Sequence, residues 1–131
     1  MRTTYFISLV FSAGLIACLS KPGAVQKTSV SVDEAYALTQ KGVLLVDVRE
    51  PDEVAAVAYR VKNYRNIPLS QLESRLGEIP QDRPVVLACR SGGRSQRAYE
   101  MLTARGFRNV INMEGGLLAW EAHNLPVVRR P

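Results

Sequence analysis

Cys89-Arg90-Ser91-Gly92-Gly93-Arg94-Ser95 is the stretch of this chain whose residue types and spacing could do chemistry. The apolar run Pro84-Val85-Val86-Leu87-Ala88 before it reads as a buried strand, and Gln96 to Leu102 after it reads as a helix closed by Gly106. A cysteine at the carboxyl end of a strand, followed by a glycine-bearing loop that opens a helix, lies where backbone N–H groups converge on an anion. Gly92 and Gly93 can take backbone angles closed to other residues, so the loop can curl and aim its N–H groups at one point. The helix adds about half a positive charge at its N-terminus, and Arg90, Arg94 and Arg97 bring cations close in sequence. All of these favour thiolate over thiol; comparable settings lower a cysteine pKa from about 8.5 to roughly 3.5–7.5. Cys89 is therefore expected to be a nucleophile, against the alternative of a buried structural cysteine beside a solvated basic loop.

What the rest of the chain lacks bounds that chemistry. A cysteine hydrolase needs a histidine base, and the one histidine, His123, sits just before Leu125-Pro126 and reads as an exposed surface residue. One histidine and one thiol far apart in sequence make a metal site improbable. Trp120 reads as core packing.

The elements that must position the loop are visible on either side. Ser31-Val32-Asp33-Glu34 has the form of a capping box, and Gly42 is placed to end the helix it opens. Val43-Leu44-Leu45-Val46-Asp47 is an apolar run with an acid at its carboxyl end, as expected of a central parallel strand. Arg49 to Glu53 opens a short helix with Pro51 in its first turn. Asn66-Ile67-Pro68-Leu69 reads as a brief extended piece, Ser70-Gln71-Leu72-Glu73 as a second capping box, and Asn109 to Asn112 as a strand before a last helix, Leu117 to Glu121. Strands alternating with helices predict a parallel α/β sheet covered on both faces, with the ligand beyond the carboxyl ends of the strands. Asp47, Cys89 and the segment after Asn112 fall at such ends.

The chain has 131 residues and a net charge of +5. The basic residues are scattered without an aromatic-studded stripe, so a small-anion preference is expected rather than nucleic-acid binding. Residues 1–17 begin with Met1-Arg2 and run apolar to Ala17, too short for a comfortable membrane span and suited to a secretory signal. Leu15-Ile16-Ala17-Cys18 resembles the lipobox of bacterial lipoproteins, which implies cleavage before Cys18 and acylation of that residue. Residues 18–27 then form a tether and residues 28–131 one domain, with the net charge falling from +5 to +4 as Arg2 leaves. The expected location is the bacterial cell envelope, lipid-anchored and facing the periplasm; ordinary cleavage near Ser20 would give a soluble periplasmic protein. With Cys18 acylated, Cys89 is the single remaining thiol of a chain with two cysteines, and a solitary thiol in an oxidising compartment argues for wanted reactivity.

With these segments in place, the chain from about Val30 to Val128 resembles the single-domain rhodanese family of sulfurtransferases. The stretches that carry the resemblance are Val43 to Glu53, Asn66-Ile67-Pro68-Leu69, Cys89 to Ser95 and Glu114-Gly115-Gly116-Leu117-Leu118-Ala119-Trp120. The resemblance implies an α/β fold with a small parallel central sheet of about five strands flanked by helices on both faces. It implies that Cys89 takes a sulfane sulfur from a small anionic donor such as thiosulfate, holds it as a persulfide, and passes it to cyanide or a thiol, including a protein thiol. Arg90, Ser91, Gly92, Gly93, Arg94 and Ser95 would cradle the donor and the outer sulfur, with Asp47 and Arg49 supporting the loop from the neighbouring strand end. No metal or organic cofactor is implied. The chain departs from the family where Gly-His-Ile-x-Gly-Ala commonly precedes Asn-Ile-Pro-Leu: Tyr59, Arg60, Val61, Lys62, Asn63 and Tyr64 stand there, in a stretch longer than usual.

Two rivals remain. Phosphatases and arsenate reductases of related fold place an arginine after Cys and five residues; here Arg94 comes one position early and Ser95 occupies that place. The other rival is a non-enzymatic or slow sulfur-relay and binding module of the envelope.

Overall fold

Five parallel strands carry the domain, in the order β1-β6-β5-β2-β4. A computed structural model describes residues 27–131; the expected signal segment, Cys18 and nearly all of the tether lie outside them. The strands are β1 (Ser29–Val30), β2 (Leu44–Asp47), β4 (Tyr64–Asn66), β5 (Val85–Ala88) and β6 (Val110–Met113). The helices are α1 (Val32–Gln40), α2 (Pro51–Ala56), α3 (Gly93–Ala104) and α4 (Gly116–Ala122). A second, two-stranded antiparallel sheet joins β3 (Val57–Tyr59) to β7 (Val127–Arg129), pairing Tyr59 with Val127.

The apolar runs of β2 and β5 are buried on both sides because helices cover both faces. On one face Val46, Val85 and Leu87 pack with Ala98 and Leu102 of α3 and with Leu72. On the other, Leu45, Val86 and Ala88 meet Ala35 of α1 and Leu117 and Trp120 of α4. Trp120 is fully buried.

Sheet order fixes the site. From β2 the chain moves outward to β4, and from β5 it moves the other way to β6, so the crevice between β2 and β5 is the point where the winding reverses. Asp47 is in register with Ala88, which puts Asp47 at that crevice, one residue short of Cys89 and facing the other side of the sheet.

Local signals explain most of the helices. Ser31 Oγ accepts from the Glu34 N–H at 3.2 Å, and Glu34 Oε2 accepts from the Ser31 N–H at 3.3 Å, the reciprocal box that starts α1. The second box does not form. Ser70 instead donates to Glu50 Oε1 at 3.3 Å, and Glu73 accepts from Arg105 at 2.5 Å. With both partners engaged elsewhere, the segment folds as two short 3-10 turns, Leu69–Gln71 and Glu73–Glu78, pinned by buried Leu72 and Ile79. The extended piece expected at Asn66 to Leu69 lies mostly after a strand that begins earlier, at Tyr64.

Candidate active site

The Cys89 side chain is enclosed by its own loop. It is 1% exposed, with Sγ 3.0 Å from the Gly92 nitrogen and 3.4 Å from Ser95 Oγ. Burial pushes the thiol pKa up, but hydrogen bonds from the Ser95 hydroxyl and from the N–H groups of Ser95, Gly92 and Ser91 outweigh it, leaving the pKa below that of an ordinary cysteine. The Ser95 hydroxyl also lies 3.2 Å from the Gly92 carbonyl. A hydroxyl has one hydrogen, so only when the sulfur is ionised must that hydrogen turn to it.

The loop is held from behind by α4. Leu117 donates its N–H to the Cys89 carbonyl at 2.9 Å, and Leu118 to the Arg90 carbonyl at 3.0 Å. A planar trans peptide points its carbonyl and its N–H in opposite directions, so fixing the Arg90 carbonyl outward aims the Ser91 N–H inward. This close approach needs glycine: a Cβ on Gly116, at φ +56°, would stand 2.5 Å from the Arg90 carbonyl carbon. Gly92 takes φ +101° just before α3, whereas Gly93 has an ordinary φ and opens the helix with free space around it. Of the two loop glycines, Gly92 alone makes the turn.

The cations are arranged differently from the sequence expectation. Arg94 is bound through both terminal nitrogens to Glu53 of α2, at 2.6 and 2.7 Å. The guanidinium in turn holds the Glu53 carboxyl pKa down at about 2. That depression stabilises the fold above the ordinary carboxylate range and is lost only as pH falls through about 2. Arg90, Ser91 and Arg97 are exposed. Hydrogen bonds from Ser95 and the loop backbone, not the arginines, therefore lead in lowering the sulfur's pKa.

Asp47 and Arg49 form a buried pair, with Arg49 Nη2 2.7 Å from Asp47 Oδ2 and both side chains at most 2% exposed. Tyr64 donates its hydroxyl to Asp47 at 2.8 Å. Arg49 also donates to the Val57 carbonyl and lies 5.3 Å from the Tyr59 ring centre. Tyr59 donates its hydroxyl to the Cys89 carbonyl at 2.5 Å. Asp47 and Arg49 thus stand one residue away from the loop, behind Tyr59. His123 is exposed and lies 2.8 Å from Asp33, away from the sulfur. A cavity of about 570 Å³ lined by Gly42, Leu44, Asn63, Arg65 and Arg83 sits at the amino ends of the strands, on the rim opposite Cys89.

Residues 31–123 match the Rhodanese-like domain family. The chain belongs to this family. It is similar to a sulfurtransferase of Allochromatium vinosum, 41% identical over 100 residues that span 76% of this chain and 91% of that protein. It is also similar to thiosulfate sulfurtransferase 18 of Arabidopsis thaliana, 33% identical over 123 residues that span 82% of this chain and 88% of that one. The solution structure of a 30 kDa polysulfide-sulfur transferase homodimer from Wolinella succinogenes superposes with a TM-score of 0.69 at 34% identity, over 79% of this chain and 80% of that one. At the level of the family, the chemistry of this rhodanese-like domain is sulfur transfer.

Sequence reasoning found the cysteine loop and the Asp47–Arg49 strand end, and missed Glu53, Tyr59, Tyr64 and the roles of Gly116, Leu117 and Leu118. The signal for the tyrosines was present: large hydroxylated rings replace small residues where the chain departs from the rhodanese pattern. The Glu53 pairing carries its own prediction. Glu53→Gln keeps an oxygen for the Glu50 N–H that Glu53 accepts at 3.0 Å but removes the counter-charge on Arg94. KM for thiosulfate is expected to fall about threefold with kcat unchanged, the scale of one partly exposed charge. Steady-state kinetics checks this; an unchanged or higher KM would show that Arg94 does not meet the donor.

Proposed function

We propose that the protein is a thiosulfate sulfurtransferase that works through a persulfide on Cys89, and that it is tethered by lipid on Cys18 to a bacterial envelope membrane, facing the periplasm. The observation that carries the reading is the buried Cys89 sulfur with loop N–H groups converging on it, an environment that favours the thiolate without a histidine base. In the first half-reaction the thiolate attacks the sulfane sulfur of thiosulfate. The Cys89–sulfur bond forms, the sulfur–sulfur bond of the donor breaks, and sulfite leaves with the electron pair. In the second, cyanide or a thiolate attacks the outer sulfur and the Cys89 thiolate is the leaving group. Charge balances in each step, and no external oxidant or reductant enters. Ser91, Gly92 and Ser95 stabilise the negative sulfur at both stages; Gly93 is the first residue of α3, and Arg90 and Arg94 flank the mouth.

The phosphatase reading is disfavoured because the cation that would neutralise a phosphate is paired with Glu53. That same pairing favours a second reading within sulfur chemistry. A mouth whose Arg94 is already neutralised attracts a dianion weakly, which suits a relay between protein thiols. The lipid anchor rests on the Leu15-Ile16-Ala17-Cys18 segment alone, with a soluble periplasmic form as its alternative.

Mass spectrometry of the purified protein after incubation with thiosulfate tests the main reading. The expected result is the mass of one sulfur on the Cys89 peptide, discharged by cyanide. No added sulfur from any sulfane donor would sink it, whereas a persulfide that discharges to a protein thiol and barely to cyanide selects the relay. In protein extracted from native membranes, acyl chains on Cys18 are expected; a free thiol or a missing peptide there would refute the anchor.

A further inference from the structure

Building on the sulfurtransferase reading, we infer that Tyr59 is a positioning residue for Cys89, acting through the Cys89 main-chain carbonyl. That carbonyl accepts from two donors of different origin, the Tyr59 hydroxyl and the Leu117 N–H. A carbonyl oxygen has two lone pairs, so both are taken. The pair of donors fixes the peptide plane that joins Cys89 to Arg90 and hence the start of the loop. The Leu117 N–H restrains the tilt of that plane from one side, and the phenol adds a second restraint from the other donor direction.

Tyr59 is itself held firmly. Its ring meets Trp120 edge-on, with centroids 5.2 Å apart at 89°, and Arg49 lies against it. Arg49 is clamped by Asp47 through Nε and Nη2, and Asp47 also takes the Tyr64 hydroxyl. The buried charge pair has its hydrogen bonds satisfied, which makes it a rigid wall rather than a mobile one. Burial pushes the phenol pKa upward, so the hydroxyl remains a donor through the working pH range and is no acid catalyst. Tyr59 and Tyr64 both come from the stretch where this chain departs from the family motif. The brace through Tyr59 also gives Asp47 and Arg49 their route to the loop, since the hydrogen bonds of their side chains end on one another, on the Arg49 N–H, on the Val57 carbonyl and on the Tyr64 hydroxyl.

The test is Tyr59→Phe in the full chain, read as the pH dependence of iodoacetamide alkylation on the Cys89 peptide. Phenylalanine keeps the ring against Trp120 and Arg49 and removes only the donor. The alkylation midpoint is expected to rise by about half a pH unit or more, with kcat/KM for thiosulfate falling about fivefold. Tyr64→Phe, at a half-buried site, loosens the wall from behind and is expected to shift the midpoint the same way by less. An unchanged midpoint in Tyr59→Phe, even with lowered thermal stability, would reduce Tyr59 to core packing and overturn the inference. Should that variant not fold, an unchanged midpoint in Tyr64→Phe overturns it instead. Alkylation needs no sulfur transfer, so a shifted midpoint in a protein that never forms a persulfide would uphold the brace while sinking the enzymatic reading.

Discussion

Replacing Cys89 by serine is expected to abolish thiosulfate:cyanide sulfur transfer, with a loss of about a thousandfold or more. Serine fits the space of the thiol, and the N–H groups of the loop remain. What disappears is an atom that ionises there. A hydroxyl is far more basic than a thiol, and the site has no histidine to take its proton, the one histidine of the chain being at Asp33. Fold should survive, because exchanging sulfur for oxygen removes only a little volume from the cluster of Val48, Leu87 and Ala98 around the site, and the new hydroxyl keeps the loop N–H groups as partners. The assay pairs thiocyanate production with circular dichroism and thermal melting. Activity retained at the wild-type rate would refute a covalent role for Cys89.

Gly116→Ala is expected to lower stability by about 2–5 kcal/mol, from a left-handed backbone angle and overpacking together. For a domain of this size that is a fall in Tm of roughly 10–25 °C. The added Cβ would meet main-chain atoms, at 2.5 Å from the Arg90 carbonyl group and 2.6 Å from the Cys89 oxygen, and main chain cannot rotate aside. α4 must retreat, taking with it the Leu117 and Leu118 N–H groups that hold the loop carbonyls outward. Persulfide formation should therefore fall about tenfold or more even at temperatures where the variant is folded. Gly93→Ala is the control: its φ is ordinary, nothing stands within 4 Å of the new carbon, and near-wild-type stability is expected. Equal melting temperatures for Gly116→Ala and Gly93→Ala would contradict the packing described.

The parts of the fold that were legible in the sequence are those with local causes. The Ser31 and Glu34 box, the apolar runs of β2 and β5 and the strand–cysteine–helix order of the loop each declare themselves within about ten residues. The pairing of β3 with β7 does not, since Val57–Tyr59 and Val127–Arg129 are three residues each and lie far apart in the chain. Ser70 to Glu73 shows the limit of a local motif: its side chains found Glu50 and Arg105 instead. The site divides in the same way. Cys89 was readable from its place after a strand, whereas the neutralisation of Arg94 by a carboxylate 41 residues away and the brace from Tyr59, 30 residues away, depend on which segments the sheet order brings together.

A nucleophilic cysteine with only 1% of its surface exposed also sorts its substrates by shape. Displacement at sulfur proceeds along the bond being broken, so the leaving group has to trail straight out of the mouth. Donors whose transferable atom is terminal can enter head first. A disulfide in the middle of a bulky molecule presents its flank, and a cysteine this enclosed by its own loop disfavours a lateral approach.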